Sequence, residues 1–176
     1  MRREPGDVVL TPATYAVMTS PLGELTLVGR GAALSGVYFA EHVRRPDLAL
    51  FGARDDAAFA CARRQLTEYF DGRRRTFELT LAPLGNAFQQ RVWGELSAIP
   101  YGERRTYGQL ARSLGRKGLA RAVGAANGQN PLSIIVPCHR VVGSDGKLTG
   151  YAGGVQRKAF LLELETPLER RPSALF

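Results

Sequence analysis

Apolar and polar positions change their rhythm once along this chain, close to residue 85. Before it, Ala13 to Thr19, Gly23 to Gly29 and Ala33 to Phe39 are short β-prone runs separated by Pro21-Leu22-Gly23 and Gly29-Arg30-Gly31. Three such runs with short connections predict an antiparallel meander. The stretch from His42 to Arg54 is polar and holds a proline, so it is expected to be a connection with His42 as a solvated loop residue. Phe59, Leu66, Tyr69 and Phe70 then recur at helical spacing up to Gly72, which predicts a helix over the sheet, with Cys61 as a packing residue. A further strand is expected at Thr76 to Leu81, ahead of a boundary at Pro83-Leu84-Gly85. Residues 1–11 mix charge with Pro and Gly and read as a loose arm.

Beyond Gly85 the pattern is helical. Asn86 with Gln89, and Thr106 with Gln109, place a capping side chain three residues ahead of a Gln that can reach back, as in a capping box. The first helix carries Phe88, Val92, Trp93 and Leu96 on one face; the second carries Tyr107, Leu110, Ala111 and Leu114 and stops at Gly115. A third follows with Leu119, Ala122, Val123 and Ala126 as its buried stripe. The outline from Thr106 to Gly128 is that of a helix-turn-helix, although any small helical domain contains such a pair. The expected fold class is α+β. Residues 1–85 form an N-terminal antiparallel β-sheet with a covering helix, and residues 86–176 a mostly helical C-terminal domain with a winged-helix-like helix-turn-helix.

The other face of the third helix adds to this. Arg121, Gly124, Ala125 and Gly128 fall together at i, i+3, i+4 and i+7, offering one cation and almost no other side chain. A glycine in an exposed helix costs about 1 kcal/mol relative to Ala, so something needs close approach there. Either a helix packs on it, or a DNA backbone does, with Arg121 reaching into the groove. Charge favours DNA. Residues 1–100 hold 12 Arg against 11 acidic residues, whereas residues 101–176 hold 12 Lys and Arg against 5. Such a one-sided excess attracts a polyanion, although a solubility charge would look the same.

Composition narrows the remaining classes. The 44% apolar and 23% charged content of the 176 residues is that of a globular protein with its own core. There is no run of about 18 apolar residues, and no apolar stretch follows Met1-Arg2-Arg3, so no membrane partner is expected and the location is expected to be cytoplasmic. Cys61, Cys138, His42 and His139 lack zinc-ligand spacing, so neither a metal nor another cofactor is expected.

Asn130-Pro131 ends the helical region, and Ile134-Ile135-Val136 leads as a buried run into Pro137-Cys138-His139-Arg140. The thiolate is the nucleophilic form of cysteine, and a neighbouring His within a basic segment favours it, so a lowered thiol pKa is expected at Cys138. Neighbours in an extended segment point to opposite sides. His139 would then serve Cys138 through a water unless the chain turns there.

The run Val136-Pro137-Cys138-His139-Arg140-Val141-Val142 resembles the active-site signature of the O6-alkylguanine-DNA alkyltransferases, the methylated-DNA–protein-cysteine methyltransferases. Ile99-Pro100-Tyr101-Gly102, Thr106-Tyr107, Ala120-Arg121-Ala122-Val123-Gly124, Asn130-Pro131 and Gly150-Tyr151-Ala152-Gly153-Gly154 match in order and spacing, covering about residues 86–165. Before residue 85 the likeness rests on the meander.

The resemblance implies direct reversal of DNA damage. Cys138 would accept the alkyl group of O6-alkylguanine, and of O4-alkylthymine, from a nucleotide flipped out of duplex DNA, one group per molecule. His139 would be its base through water and Glu165 the orienter of His139. Tyr107 would crowd the phosphate and hydrogen-bond the flipped guanine, and Arg121 would fill the gap in the stack. The recognition helix would lie in the minor groove on its Gly124, Ala125 and Gly128 face. Asn130, Pro137, Val141, Tyr151, Ala152 and Gly153 would line the pocket, with Asn130 tying the helix-turn-helix to the active-site turn. The protein would act as a monomer, with possible cooperative assembly on DNA.

Departures from the pattern also count. Ala152 stands where relatives often carry Ser, so the donor to O6 would be a backbone N–H, and Ser133 replaces a second proline found in some. Zinc ligands that some relatives carry are absent from residues 1–85. Two other classes compete: the alkyltransferase-like proteins, which bind the lesion and lack the acceptor cysteine, and a Cys–His hydrolase, which would leave the basic helix idle.

Overall fold

The structure, a computed structural model, describes residues 11–115 and 117–167. All but the last residue of the arm expected at residues 1–11 lies outside that range. Strands β1 (Ala13–Ser20), β2 (Gly23–Arg30) and β3 (Ala33–Phe39) form the expected meander, with Ala13 paired to Arg30 and Leu25 to Phe39. The β2–β3 register slips at Val28/Gly29, and only glycine fits there, because a Cβ on Gly29 would sit 2.0 Å from the Ala33 carbonyl oxygen.

Between residues 42 and 54 the structure departs from expectation. Gly52, at φ 83°, brings the chain against the edge of β1, and β4 (Ala53–Arg54) pairs parallel to it. The sheet is therefore mixed, in the order β3-β2-β1-β4, rather than purely antiparallel. His42 is buried, not solvated: its ring meets Tyr38 edge-on at 5.3 Å, and Nδ1 accepts from the Arg44 backbone N–H. Burial first, then Arg45 and Arg44, lowers its pKa from 6.5 to about 4. The folded chain thus holds His42 neutral where the unfolded chain would protonate it. The associated stability is present above pH 6.5 and is lost as pH falls towards 4, by up to about 3 kcal/mol. We expect His42→Phe to be close to wild type at pH 7 and the more stable protein at pH 4.5, as read from urea midpoints; parallel losses in both proteins would contradict this.

Helix α1 (Ala60–Phe70) covers the sheet through Ala62, Leu66 and Tyr69. Cys61, expected to pack, is exposed, because the buried stripe runs through Ala62 and leaves position 61 outside it. Residues 76–81 form no ladder; the chain pairs with β3 at the Leu34–Leu81 bridge, where Leu34 N–H donates to the Thr80 carbonyl and the Leu34 carbonyl accepts from Ala82 N–H.

Both capping boxes are present, on α2 (Ala87–Ser97) and, after the two-residue β5 (Arg105–Thr106), on α3 (Tyr107–Ser113). Gly115, at φ 68°, ends the latter as a left-handed C-terminal residue. Helix α4 (Ala120–Gly128) packs on α2 and α3, and the Trp93 indole N–H donates to the Ala126 carbonyl at 2.9 Å. Leu119, expected in the buried stripe, is exposed: it is the N-cap of α4, before the helical face begins. Strand β6 (Val141–Val142) pairs with β5, and α5 (Val155–Glu165) closes the fold. No described helix is long and apolar enough to cross a membrane.

One core unites the two halves, since Phe39, Leu66 and Tyr69 pack in the same cluster as Trp93, Leu96, Val123, Leu132 and Leu161. The edge strand β3 is also tied to the segment before the cysteine. Val37 N–H donates to the Pro131 carbonyl at 2.8 Å, and its own carbonyl accepts from Ser133 at 3.2 Å.

Candidate active site

From Asn130 to Arg140 the chain folds into a buried knot. Asn130 ties it: its side-chain oxygen accepts from Leu132 N–H at 3.0 Å, and its amide donates to the Val136 carbonyl at 2.9 Å and to Cys138 Sγ at 3.1 Å. Ile134 is fully buried at φ 73°, a conformation that costs a β-branched residue about 1–3 kcal/mol and persists only where the surroundings hold it. The run 134–136 is buried as expected, but as a turn: Ile135 and Val136 donate to Ser133 and Leu132. Cys138–Arg140 continue as one 3-10 turn, not as an extended segment.

This turn points His139 at the C-terminal end of α5. Its Nε2 lies 2.8 Å from Oε1 of Glu165, and both side chains are buried. Four other donors meet that carboxylate. The Tyr69 hydroxyl reaches Oε1 at 2.7 Å and Arg140 Nη2 reaches it at 2.9 Å; Arg140 Nε and Gly102 N–H reach Oε2 at 2.8 and 3.2 Å. Burial would raise the Glu165 pKa, but the hydrogen bonds from His139 and Arg140 outweigh it and hold the group at about 2. Glu165 is therefore a carboxylate that can only accept, which assigns the imidazole proton to Nε2 and leaves the Nδ1 lone pair as a base. Nδ1 is buried and has no partner among the described residues.

The electrostatics of the thiol are the reverse of the sequence expectation. Burial pushes the Cys138 pKa up, opposed by the Asn130 hydrogen bond and the charge of Lys158. Burial likewise lowers the His139 pKa, against Glu165. Sequence reasoning counted nearby charge but could not count desolvation, which is larger for a side chain only 5% exposed. Both shifts favour a neutral thiol beside a neutral imidazole, so a reaction at sulfur would require the thiol proton to be transferred. Lys158 is a buried cation whose Nζ donates to the Thr149 carbonyl at 2.9 Å; burial lowers its pKa to about 8, partly countered by Cys138.

The other predicted residues surround this centre. Tyr107 opens α3, with its hydroxyl 3.5 Å from the Thr149 carbonyl; burial raises its pKa, against that hydrogen bond. Gly124 lies beside it, since a Cβ there would stand 3.6 Å from the Tyr107 ring. Arg121 and Ala125 are exposed, and a Cβ on Gly128 would meet nothing within 4 Å among the described residues, so that face is open except where Gly124 borders the Tyr107 ring. Pro137, Val141 and Tyr151 are buried, and Val141 pairs with Arg105. Gly153 is required by shape: a Cβ would come within 2.5 Å of the Phe39 ring and 2.9 Å of Tyr151. Ala152 accepts from Val43 N–H at 2.9 Å.

Sequence reasoning gave no role to Tyr69, Gly102 or Lys158, and named Arg140 only as part of the cysteine segment. Tyr69 read as a core aromatic, and nothing in its spacing marks a hydroxyl that meets residue 165. Gly102 had a signal in the Pro100-Tyr101-Gly102 turn.

A buried cysteine beside a carboxylate-bound histidine, next to a helix-turn-helix with one face left bare, defines a helix-turn-helix protein built around a candidate nucleophile. Residues 87–167 match the family model "6-O-methylguanine DNA methyltransferase, DNA binding domain", and residues 13–83 match "6-O-methylguanine DNA methyltransferase, ribonuclease-like domain". The chain is 50% identical over 151 residues to the methylated-DNA–protein-cysteine methyltransferase of Mycobacterium tuberculosis, covering 86% of this chain and 91% of that protein. Identity to the Methanosarcina acetivorans protein of the same name is 46%, covering 86% and 97%. The structure of the M. tuberculosis OGT in complex with DNA superposes with a TM-score of 0.83 at 49% identity, over 91% of this chain and 96% of that one. The chain belongs to the 6-O-methylguanine DNA methyltransferase family.

Proposed function

We propose that this protein repairs double-stranded DNA by transferring the alkyl group of O6-alkylguanine to Cys138. The observation that carries the reading is the buried Cys138 next to a histidine whose Nδ1 is a free base, in a chain half identical to proteins named for this transfer. An alkyl group on O6 cannot be reached inside the stack, so the nucleotide is flipped out, at a cost of a few kcal/mol. The bare face of α4 lies in the minor groove, where bulky side chains do not fit, and Arg121 fills the gap in the stack. Asn130, Pro137, Val141, Tyr151, Ala152 and Gly153 bound the base.

The thiol proton passes through a water to His139 Nδ1 as sulfur attacks the alkyl carbon. The carbon–O6 bond breaks, and its electron pair stays on guanine. A hydrogen bond donated by the Tyr107 hydroxyl to N3 lowers the barrier to that departure. The product is a thioether, and no residue in the site is placed to remove it, so each molecule acts once. O4-alkylthymine presents the same alkyl–oxygen bond and is the second substrate of this reading. The protein works as a monomer in the cytoplasm, in two domains meeting near residue 85, and copies can assemble cooperatively on DNA.

Incubation with a duplex carrying radiolabelled O6-methylguanine tests the reading. Label should move to the peptide containing Cys138 at no more than one equivalent. Label staying on DNA would leave a lesion-binding module, and release of labelled methanol a hydrolase.

A further inference from the structure

Tyr69 belongs to the N-terminal half, 96 residues from Glu165 in sequence, yet its hydroxyl donates to the same oxygen that His139 uses. Oε1 thus takes three donors, Tyr69, His139 and Arg140, while Oε2 takes Arg140 and Gly102. Donors that share one acceptor compete. Each draws electron density from the oxygen and leaves less to stabilise a proton on its neighbour. Arg140 grips both oxygens as a fork, so the carboxylate keeps its place without Tyr69. The tyrosine ring is held independently, against Phe70, Phe77 and Tyr101 at 5.4–6.1 Å between centroids.

We propose that Tyr69 is a positioning residue that tunes the base: its hydroxyl, delivered by α1, caps Glu165 Oε1 and keeps His139 from becoming too basic. The inference rests on the reading that His139 takes the thiol proton. A histidine too tightly paired to Glu165 would already be protonated when substrate arrives and could not act. The charged groups acting on His139 are Glu165 and Lys158 from α5 and Arg140 from its own turn; Tyr69, from α1, meets the same Glu165 oxygen as the imidazole. Tyr101, from the turn that supplies the Gly102 N–H, faces Tyr69 and Arg140. Tyr69 meets Glu165 Oε1 directly and can lose that polar atom without changing a formal charge near neutral pH.

Tyr69→Phe keeps the ring and removes the donor. Released from competition, Oε1 binds the imidazolium more strongly, so the His139 pKa rises. We expect the NMR titration of its imidazole to move up by about half a unit or more, and the acid limb of the transfer rate to move with it. The chain has two histidines, so His42 serves as an internal control whose titration stays put. Duplex affinity should not change. Incorporating 3-fluorotyrosine at position 69, a stronger donor, should shift His139 in the opposite direction, and this second protein keeps the test decisive should the phenylalanine variant fold poorly. Unchanged His139 titration in both proteins, or shifts of the same sign, would overturn the proposal. The titration needs no substrate, so its outcome is separate from whether the wild-type protein transfers alkyl groups at all.

Discussion

Alanine in place of Cys138 is expected to abolish alkyl transfer and to leave duplex binding intact. The effect is the largest expected for any single substitution, because removing a nucleophile costs on the order of 10⁶-fold where no other group can take its place. Cys61, the other cysteine, is exposed on α1, outside the buried site. Binding should survive because Arg121 and Ala125 of α4 lie on the surface, whereas Cys138 is buried in the knot tied by Asn130. The alanine also relieves Asn130 of only one of its partners, since its amide keeps the Val136 carbonyl. Affinity of both proteins for a duplex should fall steeply and in parallel with salt, as contacts to phosphate demand. Filter binding and label transfer on the same preparations check both statements. Loss of binding along with transfer would make Cys138 structural, and a flat salt response would refute the role given to the basic second half.

What could be read in the sequence and what could not divides by the range of the interactions. Capping boxes at Asn86 and Thr106, the stop at Gly115 and the three strands of the meander depend on residues within a few positions of each other, and each stands where the pattern put it. Cys138, His139 and Glu165 were named through the family resemblance; the structure hydrogen-bonds His139 to Glu165, and Cys138 separately to Asn130. The misses are long-range. His42 looked polar and loop-bound, but a cluster of Tyr38, Phe51 and the adjacent chain buries it. Strand β4 depends on Gly52 meeting β1, a contact across about 40 residues that no local propensity encodes. The thiol pKa went the wrong way for the same reason: charge is visible in a sequence, burial is not. Tyr69 is the clearest instance, a core aromatic by spacing whose one polar atom ends on the Glu165 carboxylate. That contact, with Phe39 against Gly153 and Val43 on Ala152, makes the N-terminal half a wall of the site.

Arg140→Leu should destabilise the fold by about 3–5 kcal/mol, the cost of leaving one member of a buried ion pair without its partner. The guanidinium is 6% exposed and donates to both oxygens of Glu165 and to the Ile99 carbonyl, with the Tyr101 ring 5.8 Å beneath it. Against a typical stability of about 5–15 kcal/mol that loss is large, and urea unfolding at pH 7 measures it. Acid adds a second signature. The folded Glu165 pKa, at about 2, lies below its ordinary 4.5, so its contribution is present above pH 4.5 and is lost as pH falls towards 2. Without Arg140 that pKa rises, and the acid-induced loss between pH 4.5 and 2 shrinks in the variant. Lysine should rescue poorly, since a point charge cannot grip two oxygens at once. Replacing Glu165 as well, in Arg140→Leu/Glu165→Leu, removes the stranded charge and should recover most of the stability while leaving His139 without an orienter. A double variant that is stable but cannot transfer would separate the two duties of the carboxylate, holding the fold and aiming the base. Equal stability of Arg140→Leu and wild type would mean that Tyr69, Gly102 and His139 satisfy Glu165 without it.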